Sequence, residues 1–136
     1  FAALTALFLA ATFAVDPSGD FPINDDAVYA WSVRNWLAGG GLRLSPLAAS
    51  SSVTHIAWGA LFARALEPSS EVLRMSAAVM GWLGVLSFFV FLHRVLGLDK
   101  AKSLLGAVLL LINPLYLSMS YSFHTDITYF VVIGAW

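Results

Sequence analysis

Two long uncharged apolar runs limit what this chain can fold into: residues 75–92 and 103–122 carry no Asp, Glu, Lys or Arg. Each is close to the roughly 20 residues that a helix needs to cross the hydrocarbon of a bilayer. Lipid offers no partner for a backbone amide, so a segment there must satisfy its own amides, and a helix does so. Composition points the same way. The chain is 60% hydrophobic and 11% charged, with a mean hydropathy of +0.82, whereas soluble domains are about half apolar and a quarter charged. The predicted fold class is all-α, a polytopic integral membrane helical protein.

A net charge of −1 provides no basic face, which excludes nucleic acid as a partner. With no cysteine in the chain, disulfide scaffolds, thiolate zinc sites and thiol nucleophiles are excluded as well. The start at Phe1 and the stop at Trp136, inside an apolar run, predict the N-terminal part of a longer protein.

Charge sets the orientation. The turn at 93–102 holds His93, Arg94, Lys100 and Lys102 against Asp99 alone, which makes it cytoplasmic under the positive-inside rule. Counting outward gives a single module. A first span covers 1–15, an external loop with interfacial helices 16–71, and a second span 72–92. The cytoplasmic hairpin at 93–102 leads to a third span at 103–122, an external turn at 123–126 and the start of a fourth span at 127–136. The first run is also short enough to be a signal-peptide core, although no small-residue cleavage site precedes Asp16-Pro17. Residues 53–66 are apolar apart from Thr54, His55 and Arg64. If they crossed, the parity would flip; they are short for a crossing and read as a helix in the outer interface.

Asn24-Asp25-Asp26 carries the chemical signal. It opens a predicted helix over 27–37 that Gly39-Gly40-Gly41 ends. Asn24 or Asp25 can cap that helix, and acids suit its positive end. A cap needs only one acceptor, so the second carboxylate suggests a general base or an oxygen ligand for a divalent cation. Tyr29, Val33, Trp36 and Leu37 share one face, with Arg34 and Asn35 nearer the other, as in an amphipathic helix lying along the membrane. Residues 45–52 read as a flexible linker.

Asp126 opens the last span, either as a helix cap in competition with Thr125 or as a second oxygen ligand. His55 and His124 are polar fillers or ligands. Arg34, Arg43, Arg64 and Arg74 can meet a lipid phosphate or snorkel as interface anchors. Asn113-Pro114 predicts a kink in the third span. Ala77, Gly81 and Gly84 predict a close-packing face. No Gly-rich phosphate loop, Ser-His-Asp arrangement or zinc-spaced cluster is present.

The order of these elements resembles that of GT-C glycosyltransferases. The first span, Asn24-Asp25-Asp26-Ala27-Val28-Tyr29, Gly39-Gly40, Trp58-Gly59-Ala60-Leu61-Phe62 and Leu73-Arg74 carry the likeness. Asn113-Pro114-Leu115, Ser118, Ser120, Phe123 and Thr125-Asp126 extend it over nearly the whole chain. The nearest pattern is that of bacterial relatives of protein O-mannosyltransferases and the lipid A aminoarabinose transferases, glycosyltransferase family 39/83-like. The resemblance implies a polyprenyl-phosphate sugar donor and a lipid, glycan or protein acceptor. It also implies transfer on the extracytoplasmic face of the cell membrane.

Under that resemblance Asp25 matches the catalytic acid of the first external loop, with Asp26 beside it, and Asp126 matches the acid of the second loop. Arg34, Arg74 and His55 join Asp126 as candidate substrate-binding residues. Asp26, Asp126 and His124 are the candidate metal ligands, with a divalent ion open as cofactor. Val53, Thr54 and His55 stand where the aminoarabinose transferases carry an acidic metal ligand, which weakens the case for a metal. Thr125-Asp126-Ile127-Thr128 lacks the proline that relatives often place after the aspartate. A transporter or flippase of lipid-linked sugars is the rival expectation; it calls for ionisable residues at mid-membrane depth, and the apolar runs have none.

Overall fold

The computed structural model describes residues 1–22, 26–48 and 52–134, and among them every regular element is helical. Helices α1 (Ala2–Val15), α2 (Asp26–Asn35), α3 (Val53–Ala65), α4 (Ser70–Val90), α5 (Lys100–Leu111), α6 (Pro114–Ser120) and α7 (Thr125–Gly134) follow in order. A π turn, Trp36–Gly40, closes α2, and another, Phe91–Val95, extends α4. Asn24, Asp25 and the last two residues of the chain lie outside the described residues.

Local chemistry fixes the helix starts. Ser69 accepts from the Val72 amide to cap α4, and Asp99 accepts from the Lys102 amide to cap α5. Each cap satisfies one of the four amides a helix start leaves open. At Asn113 the side chain accepts from both Leu115 and Tyr116 amides, and Pro114 takes the first helical position, where its missing N–H costs nothing. The expected kink is therefore a full restart: α5 and α6 meet at 67°. The polar turn between α4 and α5 is also tighter than 93–102, spanning only 96–99.

Helix α1 runs antiparallel to α4. Phe1 meets Phe89 with ring centroids 5.7 Å apart, Trp82 donates to Thr5 at 3.0 Å, and Thr12 meets Tyr121 at 2.9 Å. The end of α1, the start of α4 and the α6–α7 turn thus share one end of the bundle. The expected small-residue face is present: a Cβ on Gly81 would lie 2.3 Å from Ser120 Oγ, and one on Gly84 2.3 Å from the Tyr116 hydroxyl. Tyr116 donates to the Gly81 carbonyl at 2.6 Å. Small residues on α4 let the broken helix approach its backbone.

Helix α2 differs from its predicted face. Tyr29 and Val33 are buried as expected, but Ala30, Ser32 and Asp26 join them, while Trp36 and Leu37 are exposed. Gly39, at φ 85°, turns the chain out of the helix at this point, a backbone state that glycine adopts without penalty. The linker is also less free than expected at its start: the Ser45 amide donates to Ser32 Oγ at 3.0 Å. Among the described residues one helix, Ser70–Val95, is long and apolar enough to cross a membrane. The α5–α6 pair meets that measure only when taken together across its bend, and α1 and α7 are apolar but shorter.

Candidate functional site

The shared end of the bundle gathers the polar groups singled out in the sequence. Asp26 is the first residue of α2 and is buried, 1% exposed. One turn on, Tyr29 presents its ring between two imidazoles, with centroids 5.6 Å from His55 and 6.3 Å from His124. His55, in the first turn of α3, stacks on Phe123 at 4.0 Å. The stack requires Gly59 one turn further along α3, because a Cβ there would lie 2.3 Å from the Phe123 ring. His124 Nδ1 stands 2.7 Å from Asp126 Oδ2 in the turn that starts α7.

His55 is held by more than stacking. Its Nδ1 lies 2.9 Å from Thr128 Oγ1, across from α7. A small pocket of about 120 Å³ opens where α3 and α7 begin, walled by Ser52, Thr54, His55, Thr125, Thr128 and Tyr129 among others. Burial pushes the imidazole down from its ordinary 6.5 to about 4; the Phe123 backbone and Asp126 oppose that shift, and His124 adds to it. A group with so low a value is neutral near pH 7. It can donate or accept a hydrogen bond there but cannot neutralise a phosphate.

Two of the four arginines offered as phosphate ligands, Arg34 and Arg74, have other partners. Arg34 is exposed and donates through Nε to the Pro68 carbonyl at 2.9 Å and through Nη2 to Ser70 Oγ at 3.3 Å. Arg74 is buried, and its Nε, Nη1 and Nη2 donate to the carbonyls of Pro17, Phe21 and Gly19.

Among the described residues no three His, Asp or Glu side chains gather to hold a metal. Of the candidate ligands, His124 and Asp126 stand side by side. Asp126 is more than half exposed and borders an apolar groove with Asn113, Tyr116 and Phe130. Asp25 lies outside the described residues.

Sequence reasoning overlooked Tyr29 and Phe123 as organisers of this end. Tyr29 had a signal, since it follows Asp26 at the i+3 spacing that puts two side chains on one helix face. Phe123 enters the sequence reading only through the resemblance, and its pairing was hidden, because its partner is 68 positions earlier in the chain and only the tertiary fold joins them.

No family model, no curated protein and no solved structure matches this chain. The functional reading therefore stands on residues and geometry.

Proposed function

We propose that the chain is the N-terminal module of a polytopic GT-C-type membrane glycosyltransferase. It moves a sugar from a polyprenyl-phosphate donor to a hydroxyl or amine acceptor on the extracytoplasmic face. Asp25 takes the acceptor's proton as the acceptor attacks the anomeric carbon, and the bond from that carbon to the donor phosphate breaks. Asp26 and Asp126 position the base or the substrates. Helices α1, α4, α5–α6 and α7 are the membrane-embedded part. Helices α2 and α3 lie at the outer interface, to which they offer the exposed side chains of Trp31 and Leu61.

One observation carries this reading. The carboxylate-bearing start of α2 and the carboxylate-bearing start of α7 meet at one end of the bundle through Tyr29 and His124. A structural membrane subunit has no need to bring two acid-tipped helix starts together, and a proton path needs its acids at mid-depth.

The direct test is sugar transfer from a polyprenyl-phosphate donor by membranes that carry the full-length protein. Topology supplies a second test: single cysteines in place of Gly40 and Lys100 label from opposite sides with an impermeant thiol reagent. Labelling of both from one side overturns the arrangement and the shared outer face with it.

A further inference from the structure

The downstream end of α2 and the strap at 16–22 that precedes the helix are tied to one short stretch of chain at the start of α4. Downstream, Arg34 reaches the Pro68 carbonyl and Ser70 Oγ. Upstream, the strap at 16–22 crosses the same stretch. Asp20 Oδ1 accepts from the Ser70 amide at 2.8 Å, and that amide holds the Asp20 carboxyl below its usual range, helped by the charges of Arg34 and Arg74. The guanidinium of Arg74 takes the carbonyls of Pro17, Gly19 and Phe21, and the Phe21 ring covers it at 4.7 Å.

A cation is poorly placed at this point. Arg74 is the fifth residue of α4, near the positive end of the helix dipole, and it is 1% exposed. Burying a charge there is unfavourable unless its donors find acceptors. The strap supplies three. Its shape suits that role, since Gly19 has φ 108° and a Cβ on it would lie 2.6 Å from the Phe21 ring. Lysine could bring the charge but not the planar fork that reaches several carbonyls at once.

We propose that Arg74 is a positioning residue for the transferase site: it clamps the strap to α4 and thereby fixes where α2 and Asp26 stand. This rests on the transferase reading. It also reassigns Arg74, since all three of its guanidinium nitrogens already donate to the chain's own carbonyls and the side chain is 1% exposed.

The test uses the full-length protein carrying Ala30→Cys as a single reporter thiol; Ala30 is 2% exposed on the packed face of α2. Residues 1–136 contain no cysteine, and any beyond them are replaced. Arg74→Gln releases the clamp from one side, and Gly19→Ala releases it from the other without touching the guanidinium. Both variants speed maleimide labelling of the reporter thiol by about tenfold or more, as local opening eases. Both lower kcat by about 100-fold, the scale of a misplaced catalytic group, and leave the donor KM unchanged. Arg74→Lys falls between them and the wild type.

A rise in donor KM in Arg74→Gln with the reporter thiol still protected overturns the proposal and makes Arg74 a phosphate ligand. Protection of that thiol in both variants also overturns it, whatever their turnover. A wild-type background that protects the thiol but transfers no sugar, with both variants labelling fast, supports the clamp and refutes only the transferase reading.

Discussion

Lowering the pH from 7 to 4 should destabilise this fold through His55. In the unfolded chain the imidazole protonates near 6.5; in the folded chain burial holds it neutral until about 4. Between those values the unfolded state binds more protons, so stability rises with pH across that window. The contribution is complete above about 6.5 and is lost as the pH falls toward 4. That difference amounts to about 3 kcal/mol, at roughly 1.4 kcal/mol for each tenfold change in proton affinity. The assay is denaturant unfolding of the full-length protein in nanodiscs, followed from about pH 4 to neutrality in wild type and in His55→Asn. Asparagine keeps an atom near Nδ1 for the Thr128 hydroxyl but does not titrate. Carboxylates contribute equally to both proteins, so the difference between the two curves isolates the imidazole. Parallel curves would refute the reasoning, because His55 would then titrate alike in both states.

Gly59→Ala should cost about 1–3 kcal/mol through overpacking against Phe123, whereas Gly134→Ala, with nothing within 4 Å of the new Cβ, should be neutral; thermal unfolding of the two variants compares them. Asn113→Ala removes the side chain that caps both Leu115 and Tyr116 amides and should cost about 1 kcal/mol, read by the same assay. Trp82→Phe removes the indole donor to Thr5 and should cost on the order of 1 kcal/mol, with α1 labelling faster at a single cysteine in place of Leu4.

Features encoded by neighbours in the chain were legible in the sequence. The apolar runs found α1, α4, α5 and α7, with bounds that moved by a few residues where caps intervened: Ser69 starts α4 before the apolar run does, and the π turn carries it to Val95. The break at Asn113-Pro114 was visible because proline has no backbone N–H to donate; the Asn113 cap that makes it a full restart was not read. The angle of the break was not visible either, since 67° depends on the glycines of α4 that receive Tyr116 and Ser120.

Long-range pairing was hidden. Arg74 reads as a phosphate ligand until its acceptors, more than 50 residues earlier, are known. His55 reads as a polar filler or a ligand until Phe123 and Thr128 are seen to close over it. Trp36 and Leu37 follow the helical period of α2 on paper, but Gly39 takes the chain out of that period. Of the carboxylate pair, Asp26 proved buried, which the capping expectation did not foresee; Asp25 lies outside the described residues.

Sugar transfer by Asp25→Asn and Asp26→Asn in the full-length protein, at matched expression and with a polyprenyl-phosphate sugar donor, tests the central claim most directly. Asparagine caps a helix about as well as aspartate, so a purely structural role survives the change. A general base does not, because the amide has no useful proton affinity near neutral pH. The account predicts a loss on the order of 100- to 10,000-fold for Asp25→Asn and a smaller one for Asp26→Asn, with both proteins folded and inserted. Loss confined to Asp26→Asn would move the base one residue along. Wild-type transfer by both variants would contradict the claim and leave the carboxylates as helix caps.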